Sequence, residues 1–159
     1  MTPLLHVSFA LTSDASEISQ MSRELIEHGL PWTWGPERVS RAIAASNVNV
    51  VVVREERKLS GFGIMEYWDE DAHLVLFAVS PSRQRKGIGS AMLQWLEASA
   101  LAAGSNRIRV EARRDNVAAR NFYSEYGYHE LSIKSRMYSG TLDGIQLEKW
   151  LRPASVGDA

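Results

Sequence analysis

The stretch "SRQRKGIGSAML" at residues 82–93 places two basic side chains directly before a Gly-Ile-Gly step and an apolar, helix-like segment. The N-terminus of a helix presents N–H groups without intrahelical partners, together with the positive end of the helix dipole. A glycine turn flanked by positive charge at such a terminus therefore predicts a site for a phosphate group.

The segments on either side of this turn are strongly apolar. "AHLVLFAV" (72–79) comes before it and predicts a central strand that is covered on both faces. Residues 87–103 follow it with a helical apolar pattern, and Gly104 is a natural stop for that helix. The glycine turn is thus predicted to join a buried strand to a long helix.

The remaining apolar patterns give the order β-α-α-β-β-β-α-β-α-β-β. Short polar turns separate the strands of the middle block, which predicts antiparallel hairpins. We therefore predict a single α/β domain over residues 1–152, with a mostly antiparallel seven-stranded sheet flanked by about four helices, and a flexible tail at 153–159. The predicted strands span 6–12, 48–55, 59–68, 72–79, 107–112, 128–138 and 144–151, and the helices begin at Asp14, Pro36, Gly87 and Asn116.

Composition excludes several classes of protein. The chain has 159 residues with a formal net charge of −1, which argues against a general nucleic-acid coat. It has no cysteine, so disulfides, thiolate metal sites and a cysteine nucleophile are excluded. The four histidines show no ligand spacing, so no metal is expected. Without a signal-like or membrane-spanning stretch, a cytoplasmic protein with no membrane partner is the expectation.

Two common phosphate-binding loops do not match the glycine turn. A Walker loop needs a lysine after its last glycine, whereas Lys86 precedes Gly87. A dinucleotide-binding fingerprint needs a third glycine where this chain has Met92. The pattern that remains is Gln84-Arg85-Lys86-Gly87-Ile88-Gly89.

This pattern resembles the Q/R-x-x-G-x-G/A signature of the GNAT N-acetyltransferase superfamily. A second stretch, "NVAARNFYSEYGY" at residues 116–128, looks like the N-x-x-A-x-x-F/L-Y-x-x-x-G-F/Y motif of the same family. The resemblance covers nearly the whole chain. It implies the GNAT fold, acetyl-CoA as co-substrate, and direct attack of a primary amine on the thioester in a ternary complex.

The resemblance also implies a set of cofactor-binding residues. The backbone N–H groups of the turn would hold the pyrophosphate of coenzyme A, because a glycine lets the backbone approach the phosphate oxygens. The backbone N–H groups of 77–79 would bind the acetyl carbonyl and the pantetheine arm. The alternatives are a helix cap for Asn116 and solvated surface charge for the basic residues. The predicted cofactor-binding residues are Phe77, Ala78, Val79, Gln84, Arg85, Lys86, Gly87, Ile88, Gly89, Ser90, Asn116 and Arg120.

Two residues are candidates for proton transfer. Tyr123 sits where the family has a phenol beside the coenzyme A sulfur, and a phenol with a pKa of about 10 stays protonated at pH 7. Its alternative role is an ordinary core aromatic. Glu111 lies in "VEARRDN", which is similar to the "LEVRxxN" of the ribosomal-protein N-terminal alanine acetyltransferases, where the glutamate is the proposed proton acceptor through water. A salt bridge with Arg109 is the alternative for Glu111, and Glu66 is the reserve base.

The sequence defines the acceptor amine less closely than it defines the cofactor. "GLPWTW" (29–34) and "MYSGTLDGIQLEKWL" (137–151) resemble the substrate loop and closing hairpin of the N-terminal acetyltransferases, although this hairpin is shorter. Either a protein N-terminus or a small amine (a polyamine, amino acid or aminoglycoside) fits, as does a non-catalytic acyl-CoA-binding module. A monomer and a homodimer fit equally. The candidate substrate-binding residues are Trp32, Trp34, Glu66 and Tyr138, with Trp68 as a further pocket candidate and core packing as the alternative for the tryptophans.

Overall fold

The computed structural model describes residues 5–84, 87–138 and 142–152. The predicted cofactor residues Arg85 and Lys86, the predicted tail at 153–159 and the side chain of Tyr138 lie outside the described residues. Among the helices described, none is both long enough and apolar enough to cross a membrane.

The chain contains two compact units, and the first consists of residues Met1–Glu66 and Leu74–Ala98. Its strands follow the order β1-β2-β3-β4, and β2 pairs antiparallel with both β1 and β3. Short 3-10 turns precede α1 and follow β4. The elements that lie wholly or mainly in this unit are β1 (Val7–Phe9), α1 (Ala15–Leu25), α2 (Pro36–Ala44), β2 (Val48–Glu55), β3 (Lys58–Trp68), β4 (Asp71–Val79) and α3 (Ile88–Ala102).

The second unit consists of Tyr67–His73 and Ser99–Ala159. Strand β7 pairs antiparallel with both β5 and β6, so the order is β5-β7-β6. Its remaining elements are β5 (Arg107–Arg113), α4 (Val117–Glu125), β6 (His129–Tyr138) and β7 (Leu142–Trp150). The single-domain boundary at residue 152 stays a prediction.

The predicted fold class is confirmed, because the described chain has the predicted seven strands, mostly antiparallel pairing and four α-helices in the predicted order. The prediction for the first strand was too long, since the structure has Val7–Phe9 in place of 6–12. The physical reason is Asp14, whose Oδ2 accepts a hydrogen bond from the N–H of Leu11 at 2.7 Å and turns the chain before α1. Asp14 also pairs with Arg54 of β2, which fixes this turn against the sheet.

The prediction that β4 is covered on both faces holds in part, because one face is buried and the other is half-buried against a second core cluster. Burial alternates along β4, so that Leu74 and Leu76 are buried while Val75 and Phe77 are only half-buried. The fully buried strand is β3, where every residue from 59 to 65 is buried. The apolar composition of β4 therefore reflects one core face and one partly covered face.

Glycines in β3 explain why α3 lies so close to that strand. A Cβ added at Gly61 would come within 2.9 Å of the terminal methyl of Met92, and one at Gly63 within 3.1 Å of a Leu96 methyl. Both Met92 and Leu96 are completely buried. The missing side chains of β3 thus make room for the apolar side of α3, whose N-terminus is the glycine turn.

Candidate active site

The glycine turn has the geometry of an anion site at a helix N-terminus. Helix α3 begins at Ile88, and its first intrahelical hydrogen bond runs from the N–H of Ala91 to the carbonyl of Gly87 at 2.9 Å. The N–H groups of residues 88–90 therefore precede that bond, and no acceptor for them lies within the described part of α3. Gly87 has a φ of +82°, a left-handed conformation that favours glycine.

The side chains around the turn are partly engaged within the protein. Gln84 donates from Nε2 to the carbonyl of Val79 at 3.2 Å, which ties the turn to the end of β4. The N–H of Ser80 donates to the carbonyl of Ser60 at 2.8 Å. Ala78 is buried and Phe77 is half-buried. Backbone contacts from 77–79 and from the turn to a cofactor stay predictions.

Asn116 occupies the helix-cap position that was its alternative role. Its Oδ1 accepts a hydrogen bond from the N–H of Ala119 at 3.1 Å at the start of α4. A helix cap does not exclude cofactor binding, so the binding of the cofactor by Asn116 stays a prediction.

Arg120 is paired with a carboxylate in this structure. It donates from Nε and Nη2 to the two carboxylate oxygens of Glu130 at 2.8 and 3.1 Å, and from Nη1 to the carbonyl of Arg114 at 2.9 Å. Hydrogen bonding to Arg120 lowers the pKa of Glu130, and the same bond raises the pKa of Arg120. The Arg120 charge is thus balanced locally, and its contact with a cofactor phosphate stays a prediction.

Tyr123 is held within a group of aromatic rings. Its side chain is buried, and its ring centroid lies 5.5 Å from that of Phe122 and 5.5 Å from that of Tyr128. The N–H of Tyr128 also donates to the carbonyl of Tyr123 at 2.9 Å. This packing restricts movement of the Tyr123 ring, as a positioned proton donor requires. Its catalytic role stays a prediction.

Glu111 lies on the polar face of β5 and faces a cavity. Along this strand Ile108, Val110 and Ala112 are buried, and the alternate residues are half-buried. The cavity has a volume of about 280 Å³. Its polar and aromatic lining consists of Trp68, Asp71, His73, Arg109, Glu111 and Gln146.

The titratable neighbour of Glu111 in the cavity is a histidine. Nε2 of His73 lies 3.9 Å from Oε1 of Glu111, and each of the two side chains is 33% exposed. The expected alternative was an ion pair with Arg109, but Arg109 pairs instead with Glu148, at 3.6 Å. Glu111 therefore keeps access to solvent and lies beside a second group that can carry a proton.

Sequence reasoning missed the contributions of His73 and Gln146. His73 is the one polar residue between Ala72 and Val79, and that isolation was the available signal. Gln146 lies opposite Glu111 in the register of β5 and β7. Pairing between strands that are distant in the chain brings these residues to one cavity, together with Trp68, which the sequence had already suggested as a pocket residue.

The other substrate candidates differ in their surroundings. Trp34 is 7% exposed and belongs to the core, with the guanidinium carbon of Arg38 3.8 Å from its ring centroid. Trp32 is 41% exposed, and the guanidinium carbon of Arg23 lies 4.9 Å from its ring centroid. Glu66 is half-buried on β3. Core packing thus accounts for Trp34, whereas a substrate role for Trp32 or Glu66 stays a prediction.

The loop that carries the two tryptophans is anchored by a buried carboxylate that the sequence did not reveal. Oε1 of Glu27 accepts hydrogen bonds from the N–H and hydroxyl of Thr33 at 2.7 and 2.8 Å and from the N–H of Trp34 at 3.2 Å. Oε2 accepts from the hydroxyl of Ser22 at 2.9 Å. A single carboxylate therefore satisfies four donors and fixes the loop against α1.

We expect the Glu27→Ala variant to lose about 2–4 kcal/mol of unfolding free energy, because several buried donors would lose their acceptor. Urea unfolding followed by circular dichroism measures the change. Glu24→Ala is the matched control, since Glu24 is an exposed glutamate in the last turn of α1, three residues before Glu27, and it accepts a hydrogen bond from Gln20. Equal stability of the two variants would show that Glu27 does not anchor the loop.

Comparison with known sequences identifies relatives over most of the chain. The profile of the acetyltransferase (GNAT) family matches residues 19–128. The ribosomal protein bS18-alanine N-acetyltransferase of Escherichia coli (strain K12) is 29% identical over 117 residues, which cover 74% of this chain and 76% of that protein.

Comparison with solved structures gives the same fold. The crystal structure of the ribosomal-protein-S18-alanine N-acetyltransferase from Escherichia coli superposes with a TM-score of 0.78 at 23% identity, covering 96% of this chain and 97% of the other. The structure of yncA from Salmonella typhimurium, solved with acetyl-CoA, superposes with a TM-score of 0.80 at 17% identity, covering 99% of each chain.

Proposed function

Because this chain belongs to the acetyltransferase (GNAT) family, we propose that it transfers the acetyl group of acetyl-CoA to the α-amino group at a protein N-terminus. The family predicted from the two motifs is confirmed, and with it the class of enzyme, an acyltransferase that forms an N-acetyl product. The protein N-terminus as acceptor is supported by the relative named above for an N-terminal alanine. The observation that carries the proposal is the open cavity at Glu111.

Glu111 acts as the base in this proposal. An α-amino group has a pKa of about 8 and is mostly protonated at pH 7, so it must lose a proton before it can attack. The Glu111 carboxylate is 33% exposed and faces the cavity, where a water molecule can relay that proton. Nε2 of His73 lies 3.9 Å from Oε1 of Glu111, beyond hydrogen-bond distance, so a proton passes between the two side chains only through water.

The start of α3 binds the pyrophosphate of the co-substrate in this proposal. The N–H groups of residues 88–90 precede the first intrahelical hydrogen bond, and Gly87 leaves the backbone uncovered. The predicted N–H donors of 77–79 would stabilise negative charge as it develops on the carbonyl oxygen. When bound, acetyl-CoA supplies an activated thioester carbonyl for the amine to attack.

Tyr123 donates a proton to the departing thiolate, and we expect Tyr123→Phe to lower kcat about tenfold to a hundredfold. General acids commonly contribute about 10²- to 10⁴-fold to the rate. We expect a smaller loss here because a thiol has a pKa of only about 8.5 and leaves readily as thiolate. Steady-state assays of thiol release measure it. Tyr126→Phe is the control, because Tyr126 packs on Phe122 in the same aromatic group. Equal rates for the two variants would assign Tyr123 to packing alone.

A panel of acceptors tests the proposed function. Released thiol is followed with peptides that begin with alanine, polyamines, free amino acids and aminoglycosides, each with acetyl-CoA. The proposal expects the highest kcat/KM with the alanyl peptides. A higher kcat/KM with a polyamine or an aminoglycoside would show that the acceptor is a small amine and not a protein N-terminus. Background rates throughout, together with a rise in melting temperature on adding acetyl-CoA, would indicate a non-catalytic binding module.

A further inference from the structure

Arg107 and Arg109 lie on the same face of β5 but differ in how they are bonded. Arg107 donates to both carboxylate oxygens of Asp71, at 2.9 and 3.1 Å, and to Glu148 at 3.3 Å. Hydrogen bonding to Asp71 raises the pKa of Arg107. Among the residues that the structure describes, Nε of Arg109 is buried and has no hydrogen-bond partner. Arg107 is therefore a structural residue, whereas Arg109 keeps bonding capacity.

The carboxylate of Glu148, which lies beside Arg109, already accepts hydrogen bonds from other residues. Oε2 of Glu148 lies 3.6 Å from Nε of Arg109, beyond hydrogen-bond distance, and it accepts from Arg107 at 3.3 Å. The other oxygen of Glu148 accepts from the indole N–H of Trp150 at 3.2 Å. The Arg109 side chain is 38% exposed and lines the cavity. Because Nε itself is buried, a molecule in the cavity would meet the exposed part of the Arg109 guanidinium rather than Nε.

The charges around the cavity favour an amine that carries a nearby oxygen. The described lining of the cavity includes the Glu111 carboxylate and the Arg109 guanidinium, which carry opposite charges. An ammonium group is attracted to the Glu111 carboxylate. A carbonyl or carboxylate oxygen on the same molecule would accept from Arg109, and hydrogen bonds to charged donors contribute about 1.5–3 kcal/mol.

The spacing of the two side chains fits one α-aminoacyl group. Glu111 and Arg109 are two residues apart on one face of a strand, so their Cα atoms are about 7 Å apart. In an α-aminoacyl group the amine nitrogen and the carbonyl oxygen are about 3 Å apart, and a hydrogen bond at each end adds about 3 Å. The group therefore reaches from Glu111 to Arg109.

We propose that Arg109 is a specificity-determining residue, which binds the oxygen next to the acceptor amine while Glu111 faces the amine itself. This inference rests on the proposed function and adds a requirement for an α-aminoacyl group, as in a peptide N-terminus or an amino acid. A polyamine has no such oxygen and gains nothing from Arg109.

Steady-state kinetics of Arg109→Met test the role of Arg109. With an alanyl peptide, the variant is expected to raise KM for the peptide about tenfold to a hundredfold, as the loss of a hydrogen bond from a charged donor predicts. Its KM for acetyl-CoA is expected to stay unchanged. Arg109→Lys, which keeps the charge, is expected to recover part of the loss. Arg114→Met, an exposed arginine paired with Asp143, is the control and is expected to match the wild type.

A thioamide peptide makes the test specific for the oxygen. Replacing the oxygen of the first peptide bond by sulfur removes a good acceptor, so it is expected to raise KM in the wild type but not in Arg109→Met. Free alanine, assayed in parallel, shows whether a carboxylate is bound in the same way. Equal effects of the sulfur in both proteins would overturn the role of Arg109. Failure of the proposed function is a different result, since the wild type would then not acetylate the peptide at all.

Discussion

Replacement of Gly87 by valine is expected to abolish the rise in melting temperature that acetyl-CoA produces in the wild-type protein. At a ligand concentration of about one hundred times Kd, binding stabilises the folded state by about 2.7 kcal/mol, which corresponds to about 5–11 °C for a domain of this size. Among the described residues, a Cβ added at Gly87 meets Leu5 at 3.8 Å, an ordinary van der Waals contact, so we expect the main effect of a branched side chain to be covering the amides that would hold the pyrophosphate. Differential scanning fluorimetry with and without acetyl-CoA measures the shift.

A side chain at a positive φ strains the backbone, and this effect of Gly87→Val needs its own control. Gly104, just after the other end of α3, provides it. Gly104 follows the C-terminus of α3 with a φ of +92° and nothing within 4 Å of an added Cβ. Gly104→Val is therefore expected to lower the melting temperature without ligand, as Gly87→Val does, but to keep the full shift with acetyl-CoA. An undiminished shift in Gly87→Val would place the phosphate site elsewhere.

The second large effect is expected at Glu111. Glu111→Gln keeps the size of the side chain but removes the proton acceptor, and we expect kcat to fall about 10²- to 10⁴-fold at pH 7. Part of the loss is expected to return as the pH rises past about 8, because the α-amino group then loses its proton to solvent. Released thiol is measured with an alanyl peptide across this pH range. The shift with acetyl-CoA is expected to remain, since Glu111 is not assigned to the cofactor.

Glu66→Gln is the comparison that assigns the base. Glu66 is half-buried on β3 and was the reserve candidate for the same role. The account expects Glu66→Gln to keep nearly full activity. The reverse pattern, with Glu111→Gln active and Glu66→Gln inactive, would transfer the role to Glu66.

Local patterns in the sequence were sufficient to predict the elements and the family. Alternation and helical periodicity placed β2 at residues 48–55, as observed, and α3 within one residue of its observed ends. The turns at the two ends of α3 were also readable from residue type, because glycine adopts the left-handed backbone seen at Gly87 and Gly104 without strain. These signals are carried by neighbouring residues, so no knowledge of the tertiary structure was needed.

The arrangement of the cavity depends on contacts that local patterns do not contain. His73 and Glu111 meet because strands distant in the chain bring them to one face, whereas the alternative that the sequence offered for Glu111 was an ion pair with Arg109. Trp32 and Trp34 are nearly adjacent and of the same type, yet one is 41% exposed and the other 7%. Burial of this kind is decided by tertiary packing rather than by residue type.

The buried carboxylate of Glu27 is a second feature that depends on tertiary contacts and that local patterns did not predict. In the sequence it is one of several acidic residues on or near α1, and nothing in its spacing distinguishes it from Glu24. In the structure it satisfies donors from Thr33 and Trp34, which lie in a loop without regular secondary structure. Hydrogen bonds to a loop backbone depend on the path of that loop, and local patterns of residue type do not reveal the path.

The position of the transferred acetyl group tests the central claim most directly. The enzyme is incubated with acetyl-CoA and a peptide that begins with alanine and contains an internal lysine, and tandem mass spectrometry locates the added group. The account predicts acetylation of the alanine α-amino group, with the lysine unmodified and the product lost in Glu111→Gln. Acetylation of the lysine side chain, or an α-acetylated product formed equally well by Glu111→Gln, would contradict it.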